Sequence, residues 1–135
     1  MHDKPVVIDT SALAAVLFHE PRGDAVWRTV NERPLIAPAL FTYELANVAT
    51  RKLLAHPDQQ GLIEICSLVG QLSLTCFDIP FDRLVSLTLE SGLSSYDAAF
   101  LWLSRESGAP LVTLDKSLAV AARRLTIPFL PVEGE

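Results

Sequence analysis

Short apolar runs alternate along this chain with longer stretches in which apolar residues recur every three or four positions. "PVVID" (5–9), "PLIAP" (34–38), "LTCFDIP" (74–80), "APLVTLD" (109–115) and "IPFLPV" (127–132) have the length and β-branched content of strands. Residues 10–18, "TSALAAVLF", are helical by composition, and "PRGDAVWRTVNER" predicts a second helix started by Pro21. Between Ala39 and Ala55, apolar residues at 40, 41, 45, 48, 49, 53 and 54 follow a helical period. Further helices are predicted over 58–73, with Asp58 as a start signal, and over 81–92, closed by Gly92. Two more run from Ser94 to Ser107, stopped by Gly108, and from Lys116 to Leu125. Strands separated by helices predict an α/β fold with a short, mostly parallel central sheet covered by helices on both faces. With no repeat, linker or break in composition, residues 1–135 are expected to form a single domain.

That order of elements gives four acids a common address. Ligands of such folds gather at the carboxyl ends of the strands. Asp9 ends "VVID" and Asp115 ends "LVTLD". Glu44 lies in the second turn of the helix leaving "LIA", at the same edge. The helix from Ser94 feeds the strand "LVTL" and so runs against the strands, which brings Asp97 in its first turn to that edge too. Each acid also has a plainer role open to it. Asp9 and Asp115 could cap the helices that follow them. Ser94-Ser95-Tyr96-Asp97 is a capping box. Glu44 resists that account, because Leu40, Phe41 and Val48 surround it on its helix and the nearest cation, Arg51, is seven residues away. A cap also uses only one carboxylate oxygen. Four like charges in one cleft call for a neutralising cation. A hard divalent ion, magnesium or manganese, accepts such oxygen ligands, orients water and offsets charge on a transferring phosphate. Thr10, Ser11, Asn47 and Thr113 supply neutral groups to orient the acids.

Charge complicates the picture. Eleven basic residues against 16 acidic give a net charge of −5, which argues against a broad basic surface for nucleic acid. Arg51, Lys52 and Lys116, with Arg22, Arg123 and Arg124 behind them, are the candidates for individual phosphate contacts. No apolar run is long enough to span a membrane, and the first residues, "MHDKPVVIDTS", do not have the form of a secretory signal. Cys66 and Cys76 are expected to be core thiols in a reducing, cytoplasmic setting. His2, His19 and His56 are expected at the surface, and Trp27, Phe41, Phe100 and Trp102 in the core or an interface. Phosphate-cradling glycine motifs and the G-x-S-x-G elbow are missing. An aspartate-dependent phosphatase would want a second acid where Ser11 stands.

"VVIDTSAL", "YELANVATRK", "SSYDAAFLWLSRESGAPLVTLDKSLAVAAR" and "IPFL" together resemble the PIN-domain family, and within it the VapC-type toxins of toxin–antitoxin pairs. The resemblance spans nearly the whole chain. It implies a PIN-like fold and a Mg2+- or Mn2+-dependent endoribonuclease with Asp9, Glu44, Asp97 and Asp115 as metal-holding and catalytic acids. It also implies an RNA substrate, a homodimer, and silencing by a small VapB-like antitoxin with a tail, often basic, across the acidic groove. Relatives that carry a further acid after "TLD" differ from this chain, which continues "KSL". The alternative is a non-catalytic PIN-like module that binds RNA or protein.

Overall fold

The computed structural model describes residues 4–30, 32–56 and 59–132. The elements run β1 (Val6–Ile8), α1 (Thr10–Leu17), α2 (Gly23–Val30), β2 (Leu35–Pro38), α3 (Phe41–Ala55), α4 (Gln59–Gln71), β3 (Leu74–Phe77), α5 (Phe81–Ser91), α6 (Ser95–Ser107), β4 (Leu111–Val112) and α7 (Lys116–Arg124). The four strands form one sheet in the order β3-β2-β1-β4, and every pairing is parallel. Parallel neighbours need crossovers, which the helices provide. Successive strand residues point to opposite faces, and Val6, Val7 and Ile8 are all buried. Both faces of the sheet are therefore covered at its centre.

The core is the meeting of those strands with Leu13 and Leu17 of α1, Val26 of α2, Phe41 of α3, Phe100 and Leu101 of α6 and Leu118 of α7. Phe41 and Phe100 meet edge to face, ring centroids 6.5 Å apart at 75°. Helix α2 lies so close on α1 that a Cβ at Gly23 would clash with the Ala15 carbonyl oxygen. The predicted stops hold: Gly92 and Gly108 adopt the left-handed conformation at φ 73° and 76° and end α5 and α6.

Three expectations change. "IPFLPV" forms no strand and contributes one parallel bridge, Leu111 with Phe129. Pro128 and Pro131 lack the N–H a longer ladder would need. Helix α2 begins at Gly23, because Pro21 and Arg22 are spent in a turn closed by the Gly23 N–H on the Glu20 carbonyl, 2.9 Å. Cys66 and Cys76 are both exposed rather than core thiols. The cause is their position: β3 is an edge strand with Thr75, Cys76 and Phe77 all exposed, and α4 turns Cys66 to solvent. His19 and His56 are at the surface as expected, while His2 and Asp58 lie outside the described residues. Phe41 and Phe100 are buried, Trp102 is half-buried and Trp27 is exposed.

Candidate active site

Strand β1 ends at the sheet's centre, so the residue after it, Asp9, is buried before α1 can begin. Its carboxylate caps α1, with Oδ1 accepting from the Ala12 N–H at 2.9 Å. Ser11 donates its hydroxyl to Oδ1 at 2.8 Å, and Thr113, from the end of β4, donates a short hydrogen bond to Oδ2. The two hydroxyls also hold the β4–α7 turn. Ser11 Oγ accepts from the Leu114 N–H at 3.1 Å, and Thr113 Oγ1 accepts from the Asp115 N–H at 2.9 Å. Asp9 is thus tied to the backbone that carries Asp115. Burial pushes the Asp9 carboxyl up from 3.8 to about 6 against the pull of these donors, and the charge of Asp115 adds to the rise.

Asp115 caps α7, accepting from the Ser117 and Leu118 N–H groups at 2.9 and 3.2 Å. Ser94 caps α6 by accepting from the Asp97 N–H at 3.2 Å, and this sets Asp97 in the first turn. Asp9 and Asp115 therefore cap their helices as expected, and of the capping box the Ser94 half is formed. Glu44 and Asp97 are each three residues from a member of the Phe41–Phe100 pair, which sits at the junction of α3 and α6. Thr10, 34 residues away in sequence, donates to Glu44 Oε1 at 2.9 Å.

Glu44 is raised by burial and by the charge of Asp97, with the Thr10 bond opposing. Asp97 is raised by burial and by the charge of Asp115, with Ser94 opposing. The four acids thus form a chain of mutual repulsion, and no cation acts on Asp9, Glu44 or Asp97 among the described residues. The donor set is all oxygen, half-buried to buried, and unneutralised. That suits a hard divalent cation. Among the described residues no three His, Cys, Asp or Glu side chains are grouped tightly enough to form a ready cage.

The remaining candidates separate. Thr10 donates to Glu44, and Ser11 and Thr113 donate to Asp9. Asn47, one turn beyond Glu44, is exposed and makes no hydrogen bond to any of the four among the described residues. Lys52 is engaged elsewhere: its ammonium pairs with Glu20 at 3.3 Å and lies 5.8 Å from the centre of the Phe18 ring. Arg51 and Lys116 are exposed, the latter beside an open groove with Ser117, Val120 and Arg124. Arg124 donates to the Ser91 carbonyl at 2.9 Å, and Arg123 lies over Phe129 at 4.8 Å. A roomier groove of about 410 Å³ lies away from the acids, between α1, α2 and α4, lined by Val16, Trp27, Leu68 and Leu72. Its walls are mostly apolar and it lacks the converging charges that mark the rim. Sequence reasoning missed the Thr10–Glu44 pairing and the bracing of residues 114–115 by Ser11 and Thr113, for which no local pattern gives a signal.

A helix-flanked parallel sheet with coupled carboxylates on its carboxyl rim defines an acidic-site α/β protein. A family model described as the PIN domain matches residues 6–124. The chain belongs to the PIN-domain family. It is 30% identical over 129 residues to Ribonuclease VapC3 of Pyrobaculum aerophilum, covering 91% of this chain and 98% of that relative. It is also 30% identical over 120 residues to Ribonuclease VapC12 of Mycobacterium tuberculosis, covering 84% and 89%. The crystal structure of PAE2754 from Pyrobaculum aerophilum has the same fold, with a TM-score of 0.68 at 23% identity over 90% of this chain and 87% of that one.

Proposed function

We propose that this chain is a divalent-metal-dependent endoribonuclease acting as one PIN-like domain, the toxin of a toxin–antitoxin pair in the cytoplasm. The observation that carries the reading is the linked repulsion of Asp9, Asp115, Asp97 and Glu44 on one rim, with no basic side chain among the described residues acting on Asp9, Glu44 or Asp97. The two relatives named as ribonucleases support the reaction class. Bound Mg2+ or Mn2+ would supply charge stabilisation at phosphorus and an acidified water. Asp9, Glu44 and Asp97 would hold the ion, and Asp115 would complete the site. Ser11 and Thr113 fix the Asp9 carboxylate, and Thr10 fixes Glu44, so that the acids are in place before substrate arrives. Arg51 and Lys116 remain the candidates for phosphate contacts, while Lys52 would first have to leave Glu20.

Two partners follow. The acidic rim and net charge of −5 suit a basic tail from a small VapB-like antitoxin. Exposed Phe81, Val85 and Leu89, spaced four residues apart on α5, form an apolar stripe suited to a homodimer. The second reading, a non-catalytic PIN-like module binding RNA or protein, draws on the lack of a tight carboxylate trio among the described residues. One experiment separates the two. Purified chain, freed of any antitoxin, is incubated with total cellular RNA in Mg2+, Mn2+ or EDTA, beside Asp9→Asn and Asp97→Asn. Discrete fragments that need metal and vanish in both variants are expected. A folded protein that cuts nothing in either metal supports the binding module.

A further inference from the structure

The two helices that bring Glu44 and Asp97 to the rim each bury one phenylalanine and expose one tyrosine, and α6 also carries the half-buried Trp102. Phe41 and Phe100 are buried against each other. Tyr43 immediately precedes Glu44 and is 76% exposed, and Tyr96 immediately precedes Asp97 and is 61% exposed. Neither tyrosine makes a side-chain hydrogen bond or ring contact among the described residues, so neither ring contributes visibly to the fold. Their positions fix where they reach. Tyr43 is the third residue of α3 and Tyr96 the second of α6, and both helices begin at the carboxyl rim of the sheet. Helical side chains lean toward the N-terminal end of their helix, so both rings lean toward the rim where the acids stand.

Electrostatics makes an uncharged contact valuable there. The chain carries −5 overall and Lys52 is paired with Glu20, so attraction for phosphates is a weak source of affinity. Base stacking on an aromatic ring is uncharged and tolerant of sequence. We infer that Tyr43 and Tyr96 are stacking platforms that hold unpaired nucleobases of the substrate beside the acids. The inference rests on the ribonuclease reading and sharpens it. The substrate must present splayed bases, as a loop or single strand does, because bases within a duplex are already stacked on each other. The tyrosines are positioning groups for substrate, and the carboxylates do the chemistry.

The test compares wild type with Tyr43→Ala, Tyr96→Ala, Tyr43→Phe and Tyr96→Phe on a single-stranded RNA that wild type cuts. Each alanine variant is expected to raise KM roughly ten-fold, the scale of one lost base stack, with kcat changed far less. The phenylalanine variants, which keep the ring, should restore KM. The thermal shift produced by Mn2+ should match wild type in all four, since the acids are untouched. A binding readout accompanies the kinetics: 2-aminopurine placed beside the scissile phosphate should be quenched on binding to Asp9→Asn, and less so when Tyr96→Ala is added. If wild type cuts and both alanine variants keep its KM, the tyrosine inference alone fails. It also fails if the alanine variants fall from dimer to monomer and recover KM at high protein concentration, which would assign the rings to a protein interface. If wild type cuts no RNA at all, the ribonuclease reading falls and takes this inference with it.

Discussion

Asp9 has to serve as a helix cap and as a buried carboxylate at once, and the two roles pull on its proton in opposite directions. The Ala12 N–H and the hydroxyls of Ser11 and Thr113 favour the anion, and burial opposes it more strongly. The carboxyl stands at about 6 in the fold against 3.8 when free. A carboxyl raised by folding contributes stability that is fully present below pH 3.8 and is lost as pH rises through about 6. At roughly 1.4 kcal/mol per pKa unit this loss approaches about 3 kcal/mol at neutral pH. Metal-free protein should therefore lose stability between pH 4 and pH 7.5. Asp9→Asn keeps a good cap and removes the buried charge, so it should unfold at higher urea than wild type at pH 7.5 in EDTA. At pH 4 the difference should vanish or reverse. Equal urea midpoints for the two proteins at pH 7.5 would mean that the carboxylate is not strained by its burial. At this scale the sequence was informative about identity and silent about partners. "VVID" announced a carboxylate at a buried strand end, and the apolar neighbours of Glu44 announced one in need of a partner. That the partner is the Thr10 hydroxyl follows only from bringing the start of α1 beside α3.

Among the elements, α7 shows how capping and site chemistry can be told apart. Asp115 accepts two backbone N–H groups at the start of α7 and takes part in the repulsion felt by Asp9 and Asp97. Asparagine caps about as well as aspartate, and alanine does not. Asp115→Asn should keep the melting temperature and lose most RNA cleavage. Asp115→Ala should lose cleavage and also about 1 kcal/mol of stability, read from urea unfolding. Cleavage retained in Asp115→Asn would reduce Asp115 to a cap. The elements themselves were legible wherever a period of two or 3.6 ran between clear stops, as from Ser94 to Gly108. They were less so where a proline competed. Pro21 marked a turn before α2 rather than its first residue, and Pro128 and Pro131 cut the last strand to one bridge. Cys66 and Cys76 were misplaced because apolar neighbours indicate burial only when the element lies inside. Strand order put β3 at the edge.

For the whole molecule, the unresolved account in the sequence was how an acidic protein handles RNA. The charges that matter most are concentrated on the rim, where a cation would offset them, and α5 presents an exposed apolar stripe. If that stripe joins two copies, wild type should have a dimeric mass by light scattering. Leu89→Glu should then shift it to a monomer without altering the far-ultraviolet circular dichroism. A monomeric wild type at tens of micromolar would remove the stripe from the interface. Sheet class and rim were readable because alternation of strands and helices leaves few topologies. The spacing of the carboxylates was not readable, since it depends on helix packing such as the Phe41–Phe100 contact.

Binding of Mn2+ tests the acidic rim most directly, because it requires no knowledge of the RNA. Titration of wild type, Asp9→Asn and Asp97→Asn by calorimetry or electron paramagnetic resonance, at pH 5 and pH 7.5, would show whether these carboxylates hold a cation. Wild type should bind, with higher affinity at pH 7.5 because Asp9 titrates near 6, and each variant should bind at least roughly ten-fold more weakly. Equal binding by all three proteins, or none by any, would contradict the metal site on which the ribonuclease reading depends.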